Sequence, residues 1–245
     1  MLKGWISMLK MEIEKGIKIK DLALIVENTL VISDLHMGFE EAANKQGVLL
    51  PREQFEKTVG RLKSIIQGEK FDKVVILGDL KHEFGKTSET EWRNTLKLID
   101  FLKKDCNTVI LVKGNHDVNI DAIAKKKNVE VVETYKIGNV LFCHGHELLE
   151  DYEGAEIIVI GHEHPAISLR EGIRVEKFKC FLKGKFEKKT LIVMPSFNLV
   201  TTGTDVLTER LLSPYLEQNL SEFEVYIVNE GNVLNFGRIK DLTNM

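Results

Sequence analysis

The sequence predicts an α/β fold, a four-layer α-β-β-α sandwich with two mainly β layers inside and helices outside, and three observations lead there. Five short Val/Ile/Leu/Phe runs, at 30–32, 74–77, 109–112, 140–142 and 157–160, are unbroken by polar residues, as strands buried on both faces are. In the first half of the chain such runs alternate with helical patterns, the order of a parallel sheet with crossover helices. After about residue 129 the helical patterns thin out and short strands follow one another, which implies a second sheet packed on the first.

Taken in order, residues 22–26 and 30–33 flank Glu27-Asn28-Thr29 and read as a tight hairpin. From 52 to 67, Phe55, Val59, Leu62, Ile65 and Ile66 recur at helical spacing and define one core-facing stripe. A strand is expected at 73–77. Ser88 and Glu91 match a capping box at the head of a helix to about 104, with Trp92, Leu96, Ile99 and Leu102 turned inward. Phe55, Trp92 and Phe101 are assigned to the core, and Lys125-Lys126-Lys127 to a solvated helix end. Further strands are expected at 108–113, 129–132, 140–142, 157–160, 191–194 and 224–228. Glu230-Gly231-Asn232 then turns into a last strand at 233–238. Residues 195–220 are the least regular and read as a rim or lid of the functional site. With no repeat or linker, the 245 residues form one expected domain, 1–245.

Lys+Arg 34 against Asp+Glu 37 leaves a formal charge of −3, which argues against a constitutively basic nucleic-acid surface. The cysteines Cys106, Cys143 and Cys180 lie far apart with no Cys-x-x-Cys spacing, so a zinc knuckle or redox motif is not expected and a reduced, cytoplasmic setting is. Residues 1–20 interrupt their apolar stretches with Lys and Glu, so no signal-peptide core is expected there. Nor does any segment approach the ~18 apolar residues of a membrane span.

Each of the five apolar runs is followed by oxygen or nitrogen ligands: Asp34-Leu35-His36, Gly78-Asp79, Gly114-Asn115-His116-Asp117, His144-Gly145-His146 and Gly161-His162-Glu163-His164. In α/β sheets the crevice beyond the carboxyl ends of the strands is where ligands bind, so the five blocks are expected in one pocket. Carboxylates suit hard cations and imidazoles draw a site toward transition metals. Asp34, His36, Asp79, Asn115, His144, His162 and His164 are too many donors for one ion, and two ions ~3.5–4 Å apart with a shared carboxylate would use them. Cys143, beside a ligand, is expected to alternate away from the site into the core.

This ordered set resembles that of the calcineurin-like metallophosphoesterases, whose pattern is D-x-H, G-D, G-N-H-D/E, H-G-H and G-H-x-H. The chain further resembles the branch related to the ligase-associated phosphoesterases, through Asp34-Leu35-His36-Met37-Gly38, Gly78-Asp79-Leu80-Lys81-His82-Glu83 and Pro195-Ser196-Phe197-Asn198. The resemblance implies Asp34, His36 and His164 on one divalent metal, Asn115, His144 and His162 on the other, and Asp79 between them. The His144-Gly145-His146 block also admits the reading with His146 as ligand. Manganese leads among the candidate metals, with iron, zinc, nickel and cobalt behind it. His116 resembles the family's catalytic histidine, with Asp117 expected to hold its ring and a hydroxide between the ions as nucleophile. His82 and Asn198 are candidate substrate contacts, and Glu163 is expected to point away from the metals. The implied function is a two-metal phosphoesterase, a phosphodiesterase on a nucleotide or nucleic-acid phosphate. The alternatives are a nuclease component of a DNA-repair complex and a weakly catalytic protein-binding scaffold; scaffold relatives lose the histidine that this chain keeps as His116.

Overall fold

The computed structural model of the protein describes residues 10–85 and 87–242. The expectation for the first nine residues lies outside them. Residues just beyond, charged and apolar by turns, form two strands: β1 (Met11–Glu14) and β2 (Ile17–Lys20) alternate Ile with Glu or Lys and turn Ile13, Ile17 and Ile19 inward. That period of two was present in the sequence and was read there only as an interruption of apolar stretches.

These strands continue into β3 (Ala23–Val26) and β4 (Thr29–Ser33), the expected hairpin, with Leu24 paired to Val31 across a turn at Glu27 and Asn28. The chain then runs through α1 (Phe39–Lys45), α2 (Gln54–Ile66), β5 (Lys73–Leu77), α3 (Glu89–Asp105), β6 (Thr108–Val112), α4 (Asp121–Lys127) and β7 (Glu130–Val132). Strands β4 to β7 are parallel and complete a seven-stranded sheet in sequence order.

A second sheet is built from β8 (Thr134–Ile137), β9 (Val140–Cys143), β10 (Ile157–Ile160), β11 (Pro165–Glu171), β12 (Arg174–Phe186), β13 (Lys189–Val193), β14 (Thr204–Asp205), β15 (Glu224–Asn229) and β16 (Asn232–Arg238). Its order is β14-β11-β12-β13-β10-β9-β8, with the β15–β16 hairpin paired to β12. The side-chain alternation of these strands divides two cores. Phe142, Val159, Phe181, Ile192 and Tyr226 face the first sheet, whereas their neighbours Cys143, Ile158, Cys180, Leu191 and Val225 face outward into a separate cluster. Cys143 therefore points into apolar packing, where burial pushes its thiol up to about 12; none of the three cysteines is paired.

Helices α2 and α3 cover the first sheet with Leu62, Ile65, Leu98, Ile99 and Leu102. The outer face of the second sheet is closed by Tyr215 and Leu216 of a 3-10 turn, Leu220, Phe223 and a one-turn helix α5 (Ile239–Leu242). The middle of the 195–220 segment thus lies on a sheet face, with Tyr215 fully buried, while residues 197, 198 and 204 hydrogen-bond to the backbones of Ser33, Asp34 and His164. The inward stripe of α3 is rotated from its expected position. Glu91, Thr95, Leu98, Ile99 and Leu102 are buried, whereas Trp92, Leu96 and Phe101 are half-buried, as is Phe55 of α2. Glu91 takes the inward place in the first turn for a reason that lies in the functional site. Among the described residues no helix is long and apolar enough to cross a membrane.

Candidate metal centre

Strand register brings the five blocks together. Leu77 is the register partner of both Ser33 and Val112 at the carboxyl ends of β4, β5 and β6, so Asp34, Asp79 and Asn115 leave the first sheet at one level. Cys143 pairs with Ile160 in the second sheet, which does the same for His144 and His162. The layers are joined directly: the His162 N–H donates to Asp34 Oδ2 at 3.1 Å.

All seven residues expected as ligands converge. Asp34, His36 and His164 form one group and Asp79, His144 and His162 another, the donor atoms in each lying within 4.8 Å of one another. Asp79 touches both, its Oδ2 3.6 Å from His36 Nε2 and 3.4 Å from His144 Nε2. Asn115 Oδ1 is 2.9 Å from His144 Nε2. The chain's seven histidines divide along the same line: ring contacts join His36, His82, His116 and His164 on one side and His144, His146 and His162 on the other. Asp34, His36, Asp79 and His144 are buried, while Asn115, His162 and His164 are partly open to solvent and form the accessible side.

Backbone strain concentrates here. Asp34, His36, Asp79, His162 and His164 have φ of 52°, 45°, 47°, 64° and 51°, a left-handed region that costs ~1–2 kcal/mol per non-glycine residue. Packing is equally tight: a Cβ on Gly161 would lie 2.1 Å from Ser33 Oγ and 2.6 Å from Asp34 Oδ2, so only glycine lets the second sheet approach that carboxylate.

Two buried carboxylates and four imidazoles set the electrostatics. Burial works to raise Asp34, but His164 and His144 outweigh it and hold the carboxyl below its usual range; Asp79 is lowered likewise by His144 and His36. Burial also works to lower His144, yet Asp79 and Asp34 lift its imidazole to about 9. Burial dominates at His36, lowered to about 3, and at His162, lowered to about 4, so both are neutral donors at pH 7. His36 Nε2 and His164 Nε2 face each other at 3.3 Å, so that one ring donates to the other unless a cation takes both lone pairs. Carboxylate, amide oxygen and imidazole together fit divalent transition-metal ions.

His116 adjoins the first group without joining the expected ligands. Its backbone N–H donates to Asp79 Oδ1 at 2.9 Å, and its ring Nδ1 meets the His82 carbonyl oxygen at 2.5 Å. The expectation that Asp117 holds this ring is corrected. Asp117 is fully buried, its Oδ1 accepts from Leu80 N–H at 3.0 Å and its Oδ2 from Gly114 N–H at 3.0 Å, so the carboxylate ties two loops together through their backbones. Burial and then the Asp79 charge push it up to about 7.

Asn198 is corrected too. It is buried, with its Oδ1 on the Val200 N–H and its own N–H on the Asp34 carbonyl, and so supports Asp34 from behind where a substrate contact was expected. His82 does sit at the site, its Nδ1 3.4 Å from His36 Nδ1. His146 rests on the His144 ring, centroids 5.3 Å apart, and lies outside both groups. Glu163 points away, accepting from the Leu212 and Ser213 N–H groups.

Lys81, two residues after Asp79, belongs to the interior and not to a solvated loop. It is fully buried, and its ammonium donates to the carbonyls of Glu83 and His116. Phe84, half exposed at 53%, lies over the His116 ring with centroids 3.7 Å apart. Only its place after Asp79 hinted at either role.

The fold is similar to that of the nuclease MPE of Pseudomonas putida, at 20% identity over 93% of this chain and 99% of that one, with a TM-score of 0.67. A slighter likeness, TM-score 0.42 at 15% identity over 86% and 98% of the two chains, is to Yfce, a phosphoesterase from E. coli. Among curated proteins none matches the sequence. The calcineurin-like phosphoesterase profile matches residues 28–181, a stretch that holds every expected ligand and His116, and the chain therefore belongs to that family of metal-dependent phosphoric ester hydrolases.

Proposed function

We propose that the protein is a two-metal phosphodiesterase acting on nucleoside-bearing phosphodiesters. The observation that carries the reading is the meeting of two carboxylate-bearing ligand groups at Asp79, with His116 beside them in a cluster of imidazoles alone, His36, His82 and His116. Asp34, His36 and His164 would hold one ion, Asn115, His144 and His162 the other, and Asp79 both; manganese is the first choice. When bound, such a pair supplies Lewis acidity at the phosphoryl group and an activated water at neutral pH.

The chain's own residues do the rest. A carbonyl only accepts, so the contact with His82 places a proton on His116 Nδ1; in the imidazolium form Nε2 carries a second proton, which passes to the departing oxygen and leaves the neutral ring protonated on Nδ1. Lys81 spends its ammonium on two carbonyls and is not offered to a terminal phosphoryl group. A diester, with one charge fewer than a monoester, needs less of that help, which supports the diester reading. Phe84 supports the nucleoside: its half-exposed ring lies against His116 and would give a base a surface to stack on beside the phosphate site.

The test is reconstitution with Mn²⁺, Fe²⁺, Zn²⁺, Co²⁺ or Ni²⁺, followed by turnover of bis-p-nitrophenyl phosphate, thymidine p-nitrophenyl phosphate and p-nitrophenyl phosphate. Both diesters should exceed the monoester, and the thymidine ester should show the lower KM. Faster hydrolysis of the monoester would remove the diester reading, and one tightly bound ion per chain would remove the two-metal one.

A further inference from the structure

Glu91 is a carboxylate in an expensive place. It sits in the first turn of α3 with no solvent exposure, and while Ser88 Oγ caps its N–H at 3.2 Å, the side chain does not return the contact. In a capping box it would reach back to the Ser88 N–H. Its Oε1 instead crosses to the loop after β5, accepting from the His82 N–H at 2.7 Å and the Glu83 N–H at 2.9 Å. The other oxygen, Oε2, is buried with no hydrogen-bond partner among the described residues. Burial of this kind, half satisfied, costs stability, and such costs persist where function needs them.

Space has been cleared for it. Gly38, at φ 97°, closes the first ligand block, and a Cβ there would come within 2.8 Å of Glu91 Cβ and Cγ. The loop that Glu91 grips is pinned elsewhere as well: Asp117 holds the Leu80 N–H, and Lys81 ties the Glu83 and His116 carbonyls together. Of these contacts, those of Glu91 fall on the residue whose carbonyl meets His116 Nδ1. The Glu83 N–H that Glu91 holds lies in the same planar peptide as the His82 carbonyl, so gripping it fixes the direction of that carbonyl and of the imidazole that meets it.

We propose that Glu91 is a positioning residue for His116, acting through the His82 backbone: it sets which ring nitrogen carries the fixed proton and aims Nε2 at the leaving oxygen. The inference rests on the reading of His116 as proton donor. It adds that the donor's orientation comes from a carboxylate on α3, two residues removed from the ring along a hydrogen-bonded path, and that Asp117 does not supply it.

Leaving-group dependence tests it, because a merely structural role would slow all substrates alike. Glu91→Ala, Glu91→Gln, His116→Ala and the Glu91→Ala/His116→Ala double variant, each in the full chain reconstituted with Mn²⁺, would be measured on a p-nitrophenyl diester and an alkyl diester, with metal content by elemental analysis. Glu91→Ala should keep both ions and lose about 10–100-fold in kcat on the alkyl diester, part of the ~10²–10⁴-fold that general acid catalysis contributes. On the p-nitrophenyl ester, which departs without protonation, the loss should be severalfold smaller. Glu91→Gln retains an acceptor for both N–H groups and should restore most of the alkyl rate. In the His116→Ala background, Glu91→Ala should add no further selective loss.

Equal losses on the two esters, or an undiminished selective effect without His116, would overturn the proposal. If Glu91→Ala does not fold, Glu91→Asp, which withdraws the acceptor and keeps the charge, should show the same selectivity, and its absence there would be equally fatal. Should His116→Ala itself show no leaving-group dependence, the proton-donor reading fails first; His116→Ala selective and Glu91→Ala not would sink this inference alone.

Discussion

A Cβ on Gly114 would lie 2.2 Å from Asp79 Oδ1, so the third ligand block passes against the carboxylate that both ligand groups share. Gly114→Ala must displace that carboxylate and is expected to behave like Asp79→Ala, lowering occupancy of both ions. His164→Ala, whose imidazole contacts Asp34 at 3.3 Å and belongs to one group, should empty mainly one. Elemental analysis of reconstituted protein reads all three. Full occupancy in Gly114→Ala would mean that Asp79 is not held as described.

Metal affinity should rise with pH. With its pKa lifted to about 9, His144 is protonated at pH 7 in the metal-free protein, while His36 and His162, lowered to about 3 and about 4, are already neutral. Binding must displace the His144 proton, so affinity should gain up to ~10-fold per pH unit below 9 and level off above it. Calorimetry in buffers of different ionisation enthalpy counts the released proton. A pH-independent affinity between 6 and 8 would contradict the assignment.

Asp117→Asn should act on stability more than on proton transfer. An amide nitrogen in place of one carboxylate oxygen sets a donor against the N–H of Leu80 or of Gly114. Each buried donor left unsatisfied costs ~1–3 kcal/mol. A lower thermal midpoint is expected, with the ratio of aryl to alkyl diester turnover unchanged. A selective loss on the alkyl ester at wild-type stability would return Asp117 to the role first expected of it.

Phe84→Ala should raise KM for a nucleoside diester by roughly 5–100-fold, since stacking of a base on an aromatic ring contributes ~1–3 kcal/mol. Bis-p-nitrophenyl phosphate is a less decisive probe, because its own rings stack, so methyl p-nitrophenyl phosphate is the control. Equal changes in KM for both would assign Phe84 to shaping His116 and not to holding a base.

Much of the site was legible before any coordinates. The Val/Ile runs ending in Asp, Asn and His at 34, 79, 115, 144 and 162 carry both signals at once, since a strand buried on both faces must be uniformly apolar and its carboxyl end is where a loop can present a ligand. The contacts of Lys81, Glu91 and Asp117 escape the sequence for a common reason: their partners are backbone groups. His116 O, His82 N, Glu83 N, Leu80 N and Gly114 N have no identity in a sequence, so a side chain that binds them leaves no pattern to match. Glu91 was placed correctly at the head of α3, and its cap from Ser88 was foreseen, but local spacing cannot say whether a carboxylate turns back to its own helix or across to another loop.

By itself, then, the sequence determined the strand runs, the order of the ligand blocks and the family, because each depends on residues close together along the chain. Tertiary structure decided which donor atoms lie together, which ring nitrogen of His116 faces the His82 carbonyl, and which face of α3 turns inward. Those depend on register between strands, such as Ser33 with Leu77 and Cys143 with Ile160, and on close approaches beside Gly38, Gly114 and Gly161, where an added Cβ would lie 2.8, 2.2 and 2.1 Å from its nearest neighbour. Contacts at that range are set by the packing of two sheets against each other, which no local pattern records.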